Sequence, residues 1–276
     1  MCSSDLDKWL VNVGSTQTVD KKPGESIVAS DNVVVKAVWK AKEVPVIAKV
    51  TLYADGIAGY PKVIEVKRGE TLGDKLPAKI EKAGFDFLGF GLLPCTENVP
   101  GSRATKPGDV VTAMNGKTVE ILNTDAEGRL ILADALCYAA RFQPEILVDL
   151  ATLTGACLIA LGTKVAAVFS TTEELDLRIR EGGSRTGERF WPMPLWAEYG
   201  KPLKSDVADL KNIAAREGGT IFAALFLKSF VPAGVDWAHL DIAGPAWTDE
   251  DASIFRPGGT GFGVRTLWEL IGFYED

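Results

Sequence analysis

Histidine is nearly missing from this chain: its 276 residues include one, His239. A metal site built on several imidazoles is therefore excluded. Carboxylates, cysteines or lysine would have to hold any metal, and a Ser-His-Asp or Cys-His mechanism would have to use His239 alone. Cysteine is scarce as well. The four, at positions 2, 95, 137 and 157, form no Cys-x-x-Cys pair, which excludes a zinc ribbon and a redox dithiol. Cys137 and Cys157 lie in apolar runs and read as small core residues, so nothing requires an oxidising compartment. Basic charge is in deficit. Thirty Lys and Arg against 37 Asp and Glu leave a net charge of −7, the opposite of the basic face that nucleic acids select. No uninterrupted apolar stretch reaches the ~18 residues of a membrane span. The nearest run, Ile146 to Gly162, carries Asp149 and is broken by Gly155. Met1 to Leu6 lacks the charged start and apolar core of a signal peptide. It is expected to be adapter-derived and stands outside the fold reasoning.

What remains is an ordinary globular mix, 46% apolar and 24% charged. The length suits one or two domains with a core that needs no disulfide staples. The character of the chain changes near residue 90, which divides it into a β-rich segment, 1–90, and an α/β part, 91–276. In the first part, β-branched and aromatic residues predict strands over 33–39, 46–53, 62–67 and 85–90, with one short helix over 72–83. In the second, strands and helices alternate. Leu132, Leu136 and Ala140 form a helical stripe within 129–142, which Pro144 ends. Residues 146–150 read as a buried parallel strand. Helices are predicted over 153–161, 173–181, 220–230 and within 261–273, and strands over 164–170 and 237–242. Trp237-Ala-His-Leu-Asp-Ile242 alternates, which makes His239 a satisfied structural histidine rather than a ligand. Gly258 to Gly263 lacks the spacing of a phosphate-binding loop and reads as a helix-entry turn. Trp191, Trp196, Trp237, Trp247 and Trp268 are scattered as core or interface residues, not as a stacking platform.

The heptad Asn123-Thr-Asp-Ala-Glu-Gly-Arg129 carries the most chemistry. In an extended segment, Asp125 and Glu127 share one face. Two carboxylates aimed at one point repel unless a cation or proton lies between them, and hard divalent ions take such oxygens. The same residues also fit a plain helix start, because Thr124-x-x-Glu127 is a capping-box pattern. Two carboxylates are too few to complete a metal shell.

Two resemblances bear on this choice. Trp39-Lys40, Gly69-Glu-Thr-Leu72 and Ala83-Gly-Phe-Asp-Phe-Leu-Gly-Phe90 resemble a bacterial surface repeat of the Listeria–Bacteroides type, covering residues ~10–90. The second is more specific and spans residues 91–276. Asn123 to Leu136 (Asn-Thr-Asp-Ala-Glu-Gly-Arg-Leu-Ile-Leu-Ala-Asp-Ala-Leu) resembles the signature of the leucyl aminopeptidase family, the two-metal exopeptidases. Pro94 to Asn98, Lys106 to Val111, Asp149 to Ala156, Gly187 to Leu195, Gly218-Gly219, His239 to Gly244 and Pro257 to Arg265 match in family order.

The resemblance implies that Asp125 and Glu127 are metal ligands and that Arg129 is a catalytic, anion-holding residue, with bicarbonate beside it. Thr152, Leu153 and Gly155 would line the substrate cleft through their backbone groups, and Ala243 would help form the pocket for the first side chain. Two divalent ions, Mn or Zn, would activate water and polarise the scissile carbonyl. Substrates would be peptides with a free N-terminus, apolar residues preferred. Neither nucleic acid nor membrane is expected as a partner; a homohexamer and a cytoplasmic location are implied.

One departure is large. The family's Val-Gly-Lys-Gly-x-Thr-Phe-Asp-Ser-Gly-Gly and Met-Lys-x-Asp-Met segments, which supply a lysine ligand, two aspartate ligands and a catalytic lysine, do not occur here. Met stands at 1, 114 and 193, never before a lysine, and Val13 to Asp20 echoes the first segment only loosely. The expectation is thus an incomplete leucyl-aminopeptidase-like α/β domain, a central mixed sheet flanked by helices behind a small β-rich segment. It would have at most one weak metal site and impaired or no turnover, and lost strands would expose an aggregation-prone sheet edge. The alternatives are a non-catalytic surface or binding protein carrying a β-repeat, and a chimeric gene joined near residue 90.

Overall fold

The computed structural model describes residues 91–274 except 97, 103 and 252–255, and, ahead of these, the backbone of five strands. The chain divides into two compact units, Met1–Leu76 with Val99–Ala104, and Pro77–Asn98 with Thr105–Asp276. In the first unit, β1 (Trp9–Val13), β2 (Gln17–Lys21) and β3 (Val33–Lys36) form an antiparallel sheet in the order β2-β1-β3. A second antiparallel pair joins β4 (Ile47–Leu52) to β5 (Lys62–Lys67). The helix expected over 72–83, the strand over 85–90 and the repeat motifs at 69–72 and 83–90 lie outside the described residues, as does the Met1 to Leu6 stretch.

The second unit opens with a hairpin, β6 (Val110–Thr112) and β7 (Thr118–Glu120), turned at Asn115-Gly116, where Gly116 takes φ 87°. Helix α1 (Gly128–Ala139) follows and tightens into a 3₁₀ turn over Ala140–Phe142, before the Pro144 that cannot continue it. Next come β8 (Ile146–Ala151), α2 (Gly155–Leu161), β9 (Ala166–Ser170), α3 (Glu173–Thr186) and β10 (Phe190–Pro192). The order closes with β11 (Leu210–Lys211), α4 (Gly219–Lys228), β12 (Asp236–Asp241), β13 (Trp247–Thr248), β14 (Gly258–Gly259) and α5 (Val264–Gly272).

The central sheet has the order β10-β9-β12-β8. It is mixed: β12 runs parallel to β8 and antiparallel to β9, and β10 is parallel to β9. A smaller sheet, β11-β7-β6, lies beside the start of α1 in sequence. The period-two alternation of β12 sorts the core into two faces. Ala238 and Leu240 pack with Ala166, Val168, Leu175, Ile179 and Leu270, the layer of α3 and α5. Trp237 packs on the other face with Phe169, Ala133, Leu136, Phe222 and Phe226, the layer of α1 and α4. His239 and Asp241 share this second face by the same alternation. Mixed α/β architecture with sheets flanked by helices is therefore what the second unit has.

Three local expectations are corrected. The β8 segment is parallel to β12 as expected, but it lies at the edge of the described sheet with all six residues half-buried, rather than buried on both faces. The helix expected from Leu153 begins at Gly155, because Thr154 stays extended and its hydroxyl accepts the Cys157 N–H at 3.0 Å as an N-cap. The third concerns only the core half of the tryptophan reading: of the five singled out as core or interface, Trp237 is core, and Trp191, Trp196, Trp247 and Trp268 are exposed on this chain, which leaves their interface reading open.

Candidate functional site

The segment joining β7 to α1 is not extended. Residues 124–125 form a turn, and Glu127 is already helical at φ −78° and ψ −34°. This corrects the extended-strand argument for a shared face of Asp125 and Glu127. The cause is local hydrogen bonding: the Asp125 N–H donates to Asn123 Oδ1 at 2.9 Å, an Asx turn. The capping-box reading fails as well. Glu127 occupies the N-cap position of α1 without a side-chain cap hydrogen bond. Its carboxylate instead accepts from Asn98 Nδ2 at 2.8 Å. Asp125 is exposed and Glu127 half-buried, and the side chain of Asp125 has no hydrogen-bond partner among the described residues.

A long-range clamp fixes this turn. Asn212, fully buried just past β11, accepts from the Leu122 and Asn123 N–H groups at 2.9 and 3.3 Å and donates through Nδ2 to the Asn123 carbonyl at 2.6 Å. Its own backbone carbonyl accepts from Arg129 Nη1 at 2.7 Å. Arg129 is only 8% exposed, and its Nε is a buried donor without a partner. Burial pushes the guanidinium down to about 10, while Asp241 and Glu127 pull it back. It therefore stays cationic at neutral pH with an unused N–H, which is the chemistry of an anion holder.

The other candidate residues lie past the C-terminal ends of β8 and β12. The parallel register sets Asp241 opposite Ala151, so the loop 152–154 and residues 242–244 leave the sheet at the same end, where open α/β sheets place ligands. Thr152 and Gly155 are exposed there; Leu153 and Ala243 are half-buried. Asp241 bonds the N–H groups of both Leu153 and Ala243, at 3.1 and 3.3 Å. A Cβ placed on Gly128 would touch Leu153 Cδ1 at 3.6 Å, so the start of α1 adjoins this loop. Arg129, Leu153 and Ala243 are thus neighbours through Gly128 and Asp241. The backbone is close-packed here: a Cβ on Gly244 would stand 2.1 Å from the Gly162 carbonyl oxygen, so only glycine fits.

His239 is fully buried between Phe169 and Trp237, and its Nδ1 lies 2.6 Å from Asp149 Oδ1. Asp149 Oδ2 also accepts from Trp237 Nε1 at 2.7 Å. Burial works against the charged ring, but the charge and hydrogen bond of Asp149 outweigh it and raise the His239 pKa.

The donor set decides what metal chemistry these residues support. Among the described residues, no cluster of three or more His, Cys, Asp or Glu could hold a metal ion. Asp125 and Glu127 alone fall short of the three protein ligands of a catalytic zinc site and of the six or more of calcium. The described residues therefore do not make up a two-metal centre. A cavity of about 280 Å³ lined by Met114, Cys137, Arg141 and Phe230 includes none of the candidate residues. Sequence reading missed Asn212 and Asp241 as functional residues. The available signal was polarity at inward positions: His239 and Asp241 alternate with Ala238 and Leu240 on a strand whose Trp237 is core.

The comparisons with known proteins agree on one family. The model of the cytosol aminopeptidase family, catalytic domain, matches residues 80–268. A probable cytosol aminopeptidase of Nitratidesulfovibrio vulgaris is 63% identical over 231 residues, covering 80% of this chain and 45% of that protein. That share exceeds what residues 91–276 alone make up. A probable cytosol aminopeptidase of Oleidesulfovibrio alaskensis is 59% identical over 189 residues, 68% of this chain and 37% of that one. Among solved structures, the bottromycin maturation enzyme BotP matches with a TM-score of 0.62 and 47% identity, over 64% of this chain and 40% of that one. A tomato leucine aminopeptidase mutant, K354E, gives 0.60 and 48%, over 63% and 34%. BotP in complex with Mn gives 0.59 and 47%, over 62% of this chain and 38% of that one. The chain thus spans less than half the length of these relatives. The surface-repeat reading of residues ~10–90 gains no support from these matches.

Proposed function

This chain belongs to the cytosol aminopeptidase family, and from that premise we propose that residues 91–276 are the part of a metal-dependent aminopeptidase that binds the peptide and supplies half of the metal ligands. The β-rich segment expected over 1–90 stands ahead of it in sequence, although the family match already begins at residue 80. The reaction class is hydrolysis of the N-terminal residue from peptides with a free N-terminus, apolar residues preferred, in the cytoplasm and within a homohexamer.

Asp125 and Glu127 are the carboxylate ligands this chain contributes toward Mn or Zn. The observation that carries the reading is their availability. Neither caps α1, and one Glu127 oxygen is merely steadied by Asn98. Arg129 holds an anion, bicarbonate being the candidate, against its free Nε. Thr152, Leu153 and Gly155 offer backbone groups to the peptide, and Ala243 contacts the first side chain. The lysine and aspartate segments the family places upstream do not occur in these 276 residues. At most one weak metal site and impaired turnover follow.

Leucine p-nitroanilide hydrolysis with added Mn²⁺, run beside Glu127→Ala, tests this. The expected result is no turnover above the variant. Robust turnover that Glu127→Ala abolishes would overturn the incomplete-site part and leave the ligand assignment standing. Robust turnover in both would overturn the assignment itself.

A further inference from the structure

Resting on the cleft proposed above, we infer that Asp241 is the positioning residue that fixes both of its backbone walls, the 152–154 loop and residues 242–243. Asp241 is fully buried at the end of β12, and no ion pair among the described residues includes it. Neutral donors satisfy it instead. Its Oδ1 accepts from the backbone N–H groups of Leu153, Thr154 and Ala243 at 3.1, 3.4 and 3.3 Å. Its Oδ2 accepts from the hydroxyls of Thr154 and Thr220 at 2.6 and 3.1 Å. One carboxylate thus ties the loop after β8, the loop after β12 and the first turn of α4.

The consequence follows from the planarity of the peptide bond. Within each unit, N–H and C=O point in opposite directions. Turning the N–H groups of Leu153, Thr154 and Ala243 onto Asp241 turns the carbonyls of Thr152, Leu153 and Ile242 away from it. The Ile242 carbonyl takes the Ala246 N–H at 3.1 Å, which closes the turn after β12. The Thr152 and Leu153 carbonyls accept hydrogen bonds only and fit donors such as a free amine or a peptide N–H, so Asp241 gives these two backbone acceptors their direction without touching substrate. An amide does this work less well: Asn can keep one oxygen toward the three N–H groups, but it loses the charge that strengthens those bonds, and its NH₂ forces the Thr154 and Thr220 hydroxyls to turn from donors into acceptors.

Residue-resolved amide exchange and leucine amide titration, both on the full chain, test this with Asp241→Asn, Asp241→Glu and Thr220→Val. Asp241→Asn should speed exchange at Leu153, Thr154 and Ala243 by about tenfold or more, leaving Ala238 and Leu240 in β12 protected. It should weaken leucine amide binding about tenfold as well. Thr220→Val, which keeps all three backbone bonds, should leave both readouts within about twofold. If Asp241→Asn does not fold, Asp241→Glu keeps the charge but shifts its oxygens by a methylene, and the same selective loosening is expected. Wild-type exchange at the three amides in a folded Asp241 variant would overturn the inference. So would loosened loops with unchanged leucine amide binding. A wild-type chain that binds no leucine amide defeats the cleft reading alone; selective loosening would then still support Asp241 as the anchor, and its absence would still overturn it.

Discussion

Around β8 and β12, the buried carboxylates are committed to the fold. Asp149 takes the imidazole of His239 on one oxygen and the indole N–H of Trp237 on the other, and Asp241 takes five donors. In the turn ahead of α1, Asp125 has no side-chain partner among the described residues, and Glu127 has Asn98. The backbone of that turn is nevertheless as firmly held, by Asn212 rather than by its own acids. The difference teaches where ligand chemistry is available. The carboxylates within the sheet have both oxygens engaged by the fold, whereas on the clamped turn both oxygens of Asp125 and one of Glu127 have no hydrogen-bond partner among the described residues.

Substitutions that break this comparison should differ in size by region. Asp149→Ala leaves a buried imidazole and a buried indole N–H unpaired, and should lower unfolding free energy by about 3–5 kcal/mol in urea titration. Next comes Asn212→Ala. It strips three hydrogen bonds from the turn and should cost about 2–3 kcal/mol; because the Asn212 carbonyl that holds Arg129 is backbone, the guanidinium keeps that contact. Smallest in stability are Asp125→Asn and Glu127→Gln, expected within about 0.5 kcal/mol of wild type because neither acid supports the fold. The same pair should abolish whatever Mn²⁺ binding the chain has. A large stability loss from either would place these acids with the structural set instead.

A pH series sharpens the comparison. The raised pKa of His239 means that the folded state holds its proton more tightly than the unfolded chain. Its contribution is therefore complete below the unfolded value of about 6.5 and is lost as pH rises through the folded value. Relative to His239→Gln, wild-type Tm should fall as pH climbs past about 6.5. His239 is the only histidine, so its imidazole signal reports the titration without overlap.

Much of the second unit was legible in sequence because its elements obey local rules. The period of α1, the Pro144 stop and the alternation of β12 all predicted elements within a residue or two of those found. The turn at 123–127 was not. Its shape depends on Asn212, nearly ninety positions away, and no local pattern announces that partner. The same holds for Asp241, whose donors come from 152–154, 220 and 243. The heptad itself was legible as candidate ligands through its family likeness, whereas the geometry that leaves those acids free was not.

Mn²⁺ binding by isothermal titration, wild type against the Asp125→Asn/Glu127→Gln double variant, tests the central claim most directly. The account predicts one weak site at most, lost in the double variant with the fold intact. Two tight sites, or a site that survives the double substitution, would contradict it.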